Sequence, residues 1–147
     1  MNLPSKIVIG SDHAGFEYKE AIKQYLVKNN VEIIDVGTHS TESCDYPDYA
    51  HAAAREIESG NVEVGILICG SANGVAITAN KHQEIRAALC WQNEIASLAR
   101  LHNDTNIICL PARFVTIDEA EEMVHTFLTT EFEGGRHQKR VEKIKSI

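Results

Sequence analysis

Five short apolar segments, each followed by a stretch with the pattern of a helix, constrain the fold of this chain more than any other feature. The apolar segments, predicted as strands, lie at 6–10, 31–36, 65–69, 85–90 and 106–110. The helices that follow them are predicted at 16–28, 47–59, 75–79, 93–101 and 118–129. Strands that alternate with helices over short connections are typical of a parallel sheet covered on both faces.

We therefore predict an α/β fold, namely a three-layer, Rossmann-like, doubly wound five-stranded parallel sheet. An extra basic helix is predicted at the C-terminal end, over 136–145. The length of 147 residues is within the commonest size for one domain, and no linker or internal repeat is visible, so one domain is predicted over residues 1–147. In such folds ligands bind beyond the carboxyl ends of the strands.

Composition and charge exclude several classes of function. The net charge of −7 argues against a general nucleic-acid or membrane-surface binder, so any anionic ligand must meet a local basic patch. No stretch approaches the roughly 20 apolar residues that a spanning helix needs, and the N-terminal residues carry no apolar signal region. We therefore predict a cytoplasmic protein that has neither nucleic acid nor membrane as a partner.

The four cysteines are widely spaced and include no CxxC pair, so we interpret them as free thiols rather than disulfides or zinc ligands. They are Cys44, Cys69, Cys90 and Cys109. Cys90 and Cys109 belong to apolar strands and fit the common role of a small buried residue. Cys69 differs because a turn of small residues follows it.

The turn after Cys69 has the composition of an anion site. Small side chains leave backbone N–H groups accessible, and a helix begins directly afterwards, which favours negative charge. These donors are expected to lower the pKa of the Cys69 thiol and to favour a thiolate, which is a base or a nucleophile. The alternative is a plain strand-to-helix turn beside a buried thiol. The turn residues are Gly70, Ser71, Ala72, Asn73 and Gly74.

Other polar residues have a structural and a functional interpretation. Asp12 can cap the first helix, whereas the adjacent His13 adds a titratable group. Arg136 and Arg140 lie four residues apart and share one helix face, which suits a phosphate, although a basic run is more often a solvated surface. His102 follows a helix and precedes a strand, where a histidine often interacts with the helix dipole.

Seven segments together resemble the type B ribose-5-phosphate isomerases, the family that also contains the galactose-6-phosphate isomerase subunits. The resemblance runs nearly from end to end. The segments are Gly-Ser-Asp-His-Ala-Gly-Phe (10–16), Asp-Val-Gly-Thr (35–38), Asp-Tyr-Pro-Asp-Tyr-Ala (45–50), Ile-Leu-Ile-Cys-Gly (66–70), Ala-Asn-Lys (79–81), Arg-Leu-His-Asn-Asp-Thr-Asn (100–106) and Glu-Gly-Gly-Arg-His-Gln-x-Arg (133–140).

The resemblance implies the interconversion of ribose 5-phosphate and ribulose 5-phosphate, a step of the non-oxidative pentose phosphate pathway, with no metal or other cofactor. Cys69 would be the base that moves a proton between C1 and C2. The turn 70–74, with the hydroxyl of Ser71, would stabilise the enediolate. His102 would assist opening of the furanose ring.

Further roles follow from the same resemblance. Asp12 and Asn103 would bind sugar hydroxyls or help the ring to open, and Tyr46 would lie against the sugar. The remaining matched positions would bind substrate mainly at the phosphate, and these are His13, Arg113, Arg136 and Arg140.

The positions of Cys69 and His102 in the predicted sheet imply a site shared between subunits. Cys69 ends a strand, whereas His102 precedes the next one, so the two belong to opposite edges of the sheet. A sheet is roughly 17–20 Å deep, so one chain cannot easily bring both residues to one sugar. We therefore predict a homo-oligomer with composite sites, and the family is known for dimers, some paired into tetramers.

The turn departs from the family pattern, and this leaves room for activities besides the pentose reaction. Many members have Thr-Gly-x-Gly where this chain has Ser-Ala-Asn-Gly (71–74). Another branch lacks the cysteine and uses a glutamate as base where this chain has Val75. Ala72 could narrow the turn and change the substrate to allose 6-phosphate or galactose 6-phosphate. The sequence is also compatible with a non-catalytic phosphosugar-binding protein and with a redox role for Cys69.

Overall fold

The computed structural model describes residues 2–146, so the ends of the predicted domain, residues 1 and 147, lie outside the described residues. The strands are β1 (Lys6–Ser11), β2 (Glu32–Asp35), β3 (Gly65–Cys69), β4 (Ala87–Leu89) and β5 (Ile107–Pro111). The helices are α1 (Phe16–Lys28), α2 (Tyr46–Glu58), α3 (Asn73–Ala79), α4 (Asn93–Asn103), α5 (Ile117–Thr129) and α6 (Arg136–Lys145). A short 3₁₀ turn, His13–Gly15, leads into α1.

All strand pairs are parallel, and the order in the sheet is β2-β1-β3-β5-β4. The predicted doubly wound five-stranded sheet with an extra C-terminal helix is therefore confirmed. The chain runs outward from β1 to β2 and then returns to the other side of β1 to form β3. The carboxyl ends of β1 and β3 thus lie side by side at the point where the winding reverses, which is where such folds bind ligands.

Alternate side chains of each central strand enter two different cores, as the twofold period of a strand requires. On one face Ile66 and Ile68 of β3 pack in a core with residues of α1, α4 and α5. On the other face Leu67 and Cys69 pack with residues of α2 and α3. Every residue of β3 is buried, which explains its unbroken apolar sequence.

Several element boundaries differ from those predicted. The edge strand β4 begins at Ala87, two residues later than predicted, and the side chain of Asn80 bonds both the N–H (2.8 Å) and the carbonyl (2.9 Å) of that residue. Helix α4 continues to Asn103, so His102 lies in its last turn and not after it as predicted. Helix α5 is capped by Thr116, which forms a capping box with Glu119.

A fully buried lysine, which the sequence pattern did not predict, joins α1 to the end of β2. Lys19 Nζ lies 2.6 Å from Asp35 and 2.9 Å from Glu20, and Lys23 contacts both carboxylates. Burial raises the pKa of Asp35, but the hydrogen bonds from Lys19, Lys23 and the Gly37 N–H outweigh it and leave that pKa below its ordinary value. The ionised carboxylate therefore contributes to the stability of the fold.

Helix length and hydropathy bear on the membrane prediction. Among residues 2–146, no helix is both long enough and apolar enough to span a bilayer.

Candidate active site

The first group of predicted site residues, here called the carboxyl-edge cluster, collects where β1 and β3 end. Its members are Asp12, His13, Tyr46, Cys69, the turn 70–74 and Arg113. The Asp12 N–H donates to the carbonyl of Ile68, and the Arg113 N–H donates to that of Gly70. These bonds join the loops after β1 and β5 to the end of β3, so the cluster is held together by the main chain.

The turn after Cys69 wraps its backbone around the sulfur. The backbone N–H groups of Val75, Ala72 and Ser71 act on the thiol and favour its charged form, which lowers its pKa. Ala72 adopts a left-handed conformation with φ of +67°, which a residue with a Cβ seldom takes, and it is fully buried. The turn predicted to supply backbone donors thus lies directly beside the thiol.

The predicted direction of the Cys69 pKa shift is wrong for a single chain. Burial of the side chain, which is 5% exposed, raises the pKa of the thiol, and the negative charge of Asp12 raises it further. The three backbone N–H groups act in the opposite direction but do not outweigh burial. Cys69 is therefore a thiol in the resting chain, and its surrounding donors are available to stabilise a charge that develops later.

Two glycines of the turn allow other site residues to approach closely. A Cβ on Gly74 would overlap the ring of Tyr46, and a Cβ on Gly70 would lie 3.2 Å from Nη1 of Arg113. The glycines thus let an aromatic ring and a guanidinium lie directly against the backbone of the turn. Tyr46 occupies the first turn of α2, where Pro47 fits because its missing N–H would have no helical partner.

The loop after β1 places Asp12 and His13 in different hydrogen bonds. Asp12 accepts the N–H of Gly15 at 3.1 Å and caps the 3₁₀ turn that leads into α1, which agrees with the predicted capping role. The Nδ1 atom of His13 faces Cys44, whose backbone N lies 3.3 Å away and whose Sγ lies 3.9 Å away.

The remaining predicted residues form a second group, here called the α4–α6 cluster. It contains His102 and Asn103 at the end of α4, and Arg136 and Arg140 on α6. His102 stacks on His137, with ring centroids 4.2 Å apart and the planes 14° from parallel. The Glu133 N–H donates to the Leu101 carbonyl and so fixes the start of α6 against the end of α4.

His137 was missed as a site residue, although it lies in the same basic run as the two arginines. It is 6% exposed, and its Nε2 atom has no hydrogen-bond partner among residues 2–146. Burial lowers the pKa of His137, and the charges of His102, Arg136 and Arg140 lower it further, against the opposing effect of Glu133. The signal available in the sequence was its position between two arginines on one short helix.

The α4–α6 cluster also contains the donor atoms that could hold a metal ion. Nitrogens of His102 and His137 and an oxygen of Glu133 lie within 4.8 Å of one another. A borderline ion such as Zn²⁺ accepts this donor set. However, the positive charges of Arg136 and Arg140 act on the same place, so the surroundings favour an anion over a cation.

Three arginines are available for an anion. Arg113, Arg136 and Arg140 are exposed, and none of them forms an ion pair with a carboxylate within residues 2–146. In a chain of net charge −7, arginines without a carboxylate partner concentrate positive charge locally. Their forked guanidinium groups match the oxygens of a phosphate.

The two clusters lie at opposite ends of β5. Cys69 is paired with Pro111, the last residue of that strand, whereas His102 precedes its first residue, Ile107. From Ile107 to Pro111 the strand advances about 13 Å, at about 3.3 Å per residue. A single chain therefore does not bring His102 to Cys69.

This arrangement defines a class of protein, an α/β protein with a buried thiol and an exposed arginine at the reversal of its sheet, and comparison with known proteins identifies the family. A profile described as Ribose/Galactose Isomerase matches residues 7–144. The chain belongs to this family of isomerases, and the resemblance noted from its motifs is confirmed.

Individual relatives match over nearly their whole length. The chain is 46% identical over 142 residues to ribose-5-phosphate isomerase B of Escherichia coli, covering 97% of this chain and 95% of that protein. A solved ribose 5-phosphate isomerase of Thermotoga maritima superposes with a TM-score of 0.95 at 48% identity, covering 97% and 99%. The Mycoplasma genitalium enzyme with bound ribulose-5-phosphate superposes with a TM-score of 0.92 at 40% identity, covering 96% of this chain and 94% of that chain.

Proposed function

We propose that this protein interconverts ribose 5-phosphate and ribulose 5-phosphate, a reaction of the non-oxidative pentose phosphate pathway. The observation that carries the proposal is the buried thiol of Cys69, which ends β3 at the reversal point of a ribose/galactose isomerase fold. The E. coli relative bears the name of this activity, and the Mycoplasma genitalium relative has been solved with ribulose-5-phosphate. Both relatives support the same substrate for this chain.

In the proposed reaction Cys69 is the base. As the thiolate, it takes the proton from C2 of the open-chain aldose to give a cis-enediolate and returns it to C1, while the hydroxyl proton on O2 passes to O1. Removing a proton beside a carbonyl builds negative charge on oxygen, and preorganised N–H donors in a water-poor site stabilise that charge by several kcal/mol. The turn 70–74 and the hydroxyl of Ser71 supply these donors, and the thiol must first lose its own proton.

The substrate is bound at both ends. Asp12 and Tyr46 contact the sugar, whereas His13 and Arg113 contact the phosphate from the same chain. Arginine anchors on the phosphate, which does not react, position the carbon atoms that do. No metal or other cofactor takes part in the proposed reaction.

Opening of the furanose ring is assigned to His102 together with Asn103, and both must come from a second subunit. The separation of the two clusters by the length of β5 supports a homo-oligomer, a dimer or a tetramer, with composite sites. In such a site Arg136 and Arg140 of the second chain join the phosphate contacts.

The surface beside the turn supports the same association. Trp91 and Phe114 are 50% and 74% exposed, and they line a groove of about 490 Å³ with Ser71 and Asn73. Large apolar side chains exposed next to a site mark a surface that another protein covers. A second copy of this chain, carrying the α4–α6 cluster, is the proposed occupant.

The test is an isomerase assay with ribose 5-phosphate, allose 6-phosphate and galactose 6-phosphate in the presence of EDTA. Preferred turnover of ribose 5-phosphate is the expected result. Preference for a six-carbon phosphosugar would support the alternative substrate within the same family. Binding of these sugars without turnover would support a non-catalytic binding protein. If the protein neither binds nor turns over any of the three sugars, the proposal is overturned.

A further inference from the structure

We propose that His13 meets the substrate as a neutral imidazole whose single ring proton is on Nε2, because Cys44 occupies Nδ1. The proposal rests on the proposed function only in taking His13 as a substrate contact. Its structural part, the protonation pattern of the ring, concerns the protein alone. Cys44 thereby acts as a positioning residue through its backbone.

The direction of one hydrogen bond determines which ring nitrogen carries the proton. A backbone N–H can donate but cannot accept, so the contact from the Cys44 N–H to Nδ1, 3.3 Å long, requires a lone pair on Nδ1. The Cys44 Sγ lies 3.9 Å from the same nitrogen and offers a second, weaker donor. An imidazole with Nδ1 unprotonated carries its hydrogen on Nε2.

Neighbouring groups leave the other nitrogen free to act on a ligand. Asp12, the adjacent carboxylate, uses Oδ1 for the Gly15 N–H, and no hydrogen bond within residues 2–146 joins it to His13. With Nδ1 directed at Cys44, the Nε2–H points away from that loop and is available as a donor to an anionic oxygen.

The loop that carries Cys44 is fixed relative to the loop that carries His13. The Ser11 N–H donates to the Gly37 carbonyl at 2.8 Å, and the Thr38 N–H donates to the Ser11 carbonyl at 2.7 Å. The Gly37 N–H in turn donates to Asp35, the partner of buried Lys19. The start of the loop that carries Cys44 is therefore bonded to Ser11, two residues before His13.

The consequence is that His13 and the arginines would bind the phosphate in different ways. A doubly protonated His13 would point an Nδ1–H at the Cys44 N–H and lose this bond. His13 therefore supplies one directed hydrogen bond, and the charge that recognises a phosphate comes from arginines such as Arg113.

The first test reads the ring directly. Long-range ¹H–¹⁵N spectra of the ¹⁵N-histidine-labelled protein at neutral pH, with His13→Gln used to assign the signal, should show an Nε2–H tautomer. Cys44→Pro, which removes the N–H, should give a mixture of tautomers, whereas Cys44→Ala, which keeps the N–H, should not. An Nδ1–H tautomer or an imidazolium in the wild-type protein would overturn the proposal, and this reading requires neither activity nor a folded proline variant.

The second test uses two amide substitutions. The NH₂ group of glutamine reaches about as far as Nε2, whereas that of asparagine reaches only as far as Nδ1. We expect His13→Asn to raise the KM for ribose 5-phosphate about tenfold more than His13→Gln, the effect of one hydrogen bond to a charged group. Equal effects would contradict an Nε2 donor. If no phosphosugar is turned over, the proposed function fails while the spectra still decide the tautomer.

Discussion

The carboxyl-edge cluster and the α4–α6 cluster are built in different ways. The first is made by the ends of buried strands, and main-chain hydrogen bonds hold Cys69 and its turn in place. The second lies on two helix surfaces, and its arginines are exposed. Hydrogen bonds within the chain therefore position the residues of the first cluster. The arginines of the second cluster lie at the surface, where they are accessible to a ligand or to another subunit. Substitutions in each cluster should therefore have different effects.

The largest effect is expected at the carboxyl-edge cluster. Cys69→Ser should lower kcat by about 10³-fold or more, because a serine hydroxyl is a far weaker acid than a thiol and does not form the anion that acts as the base. The matched control is Cys90→Ser, which alters a buried thiol outside the site. Steady-state kinetics of the two variants provide the comparison, and a Cys69→Ser enzyme with wild-type kcat would remove the assigned base.

Mixing variants tests whether the clusters belong to different chains. Cys69→Ser and His102→Ala should each retain little activity, whereas subunits exchanged by mild unfolding and refolding should regain about a quarter of the wild-type activity in a symmetric dimer. Half of the random dimers are mixed, and each mixed dimer has one intact site. Proven subunit exchange without recovery would show that each site is contained in one chain.

The exposed arginines should affect binding rather than chemistry. Arg140→Ala is expected to raise the KM for ribose 5-phosphate roughly 10- to 100-fold with a smaller change in kcat, because the proposed contact of the guanidinium is with the phosphate and not with the reacting carbons. Arg55→Ala on α2 is the control, as it removes an exposed arginine outside both clusters. A fall in kcat alone would contradict a role at the phosphate.

The smallest effect on kcat is expected from substitutions in the buried ion pair of Lys19 and Asp35, which should instead change the stability of the fold. Asp35→Asn should lower the free energy of unfolding by roughly 3 kcal/mol, since it leaves buried Lys19 without its nearest carboxylate. Glu20→Gln, at a side chain that is 42% exposed, should cost less than about 1 kcal/mol. Urea unfolding at neutral pH measures both values.

The same pair predicts a pH dependence with a definite sign. The pKa of Asp35 is lower in the folded chain than its ordinary value, so the stabilisation is complete above the unfolded pKa, about 3.9 for an aspartate. It is lost as the pH falls through the lower, folded value. The stability difference between wild type and Asp35→Asn should therefore shrink in acid, and a constant difference would contradict the assignment.

The sequence predicted the strands and the positions of Asp12 and Cys69 well, because the repeating apolar pattern is local and the carboxyl ends of parallel strands share one edge. It did not predict the raised pKa of Cys69, since burial comes from residues remote in the chain. It also missed buried Lys19, whose helical position resembles a solvated one until Asp35 is placed beside it. His137 was missed for the same reason, because its stacking on His102 joins two helices.

The bonds that Asn80 makes to Ala87 have a consequence for how copies of this chain can meet. β4 is an edge strand, and the groups of Ala87 that Asn80 occupies are those that a further strand would use. An exposed sheet edge is a template for continuous pairing between molecules. The amide of Asn80 caps this template at Ala87 within the chain, so a further strand cannot pair with β4 at that residue.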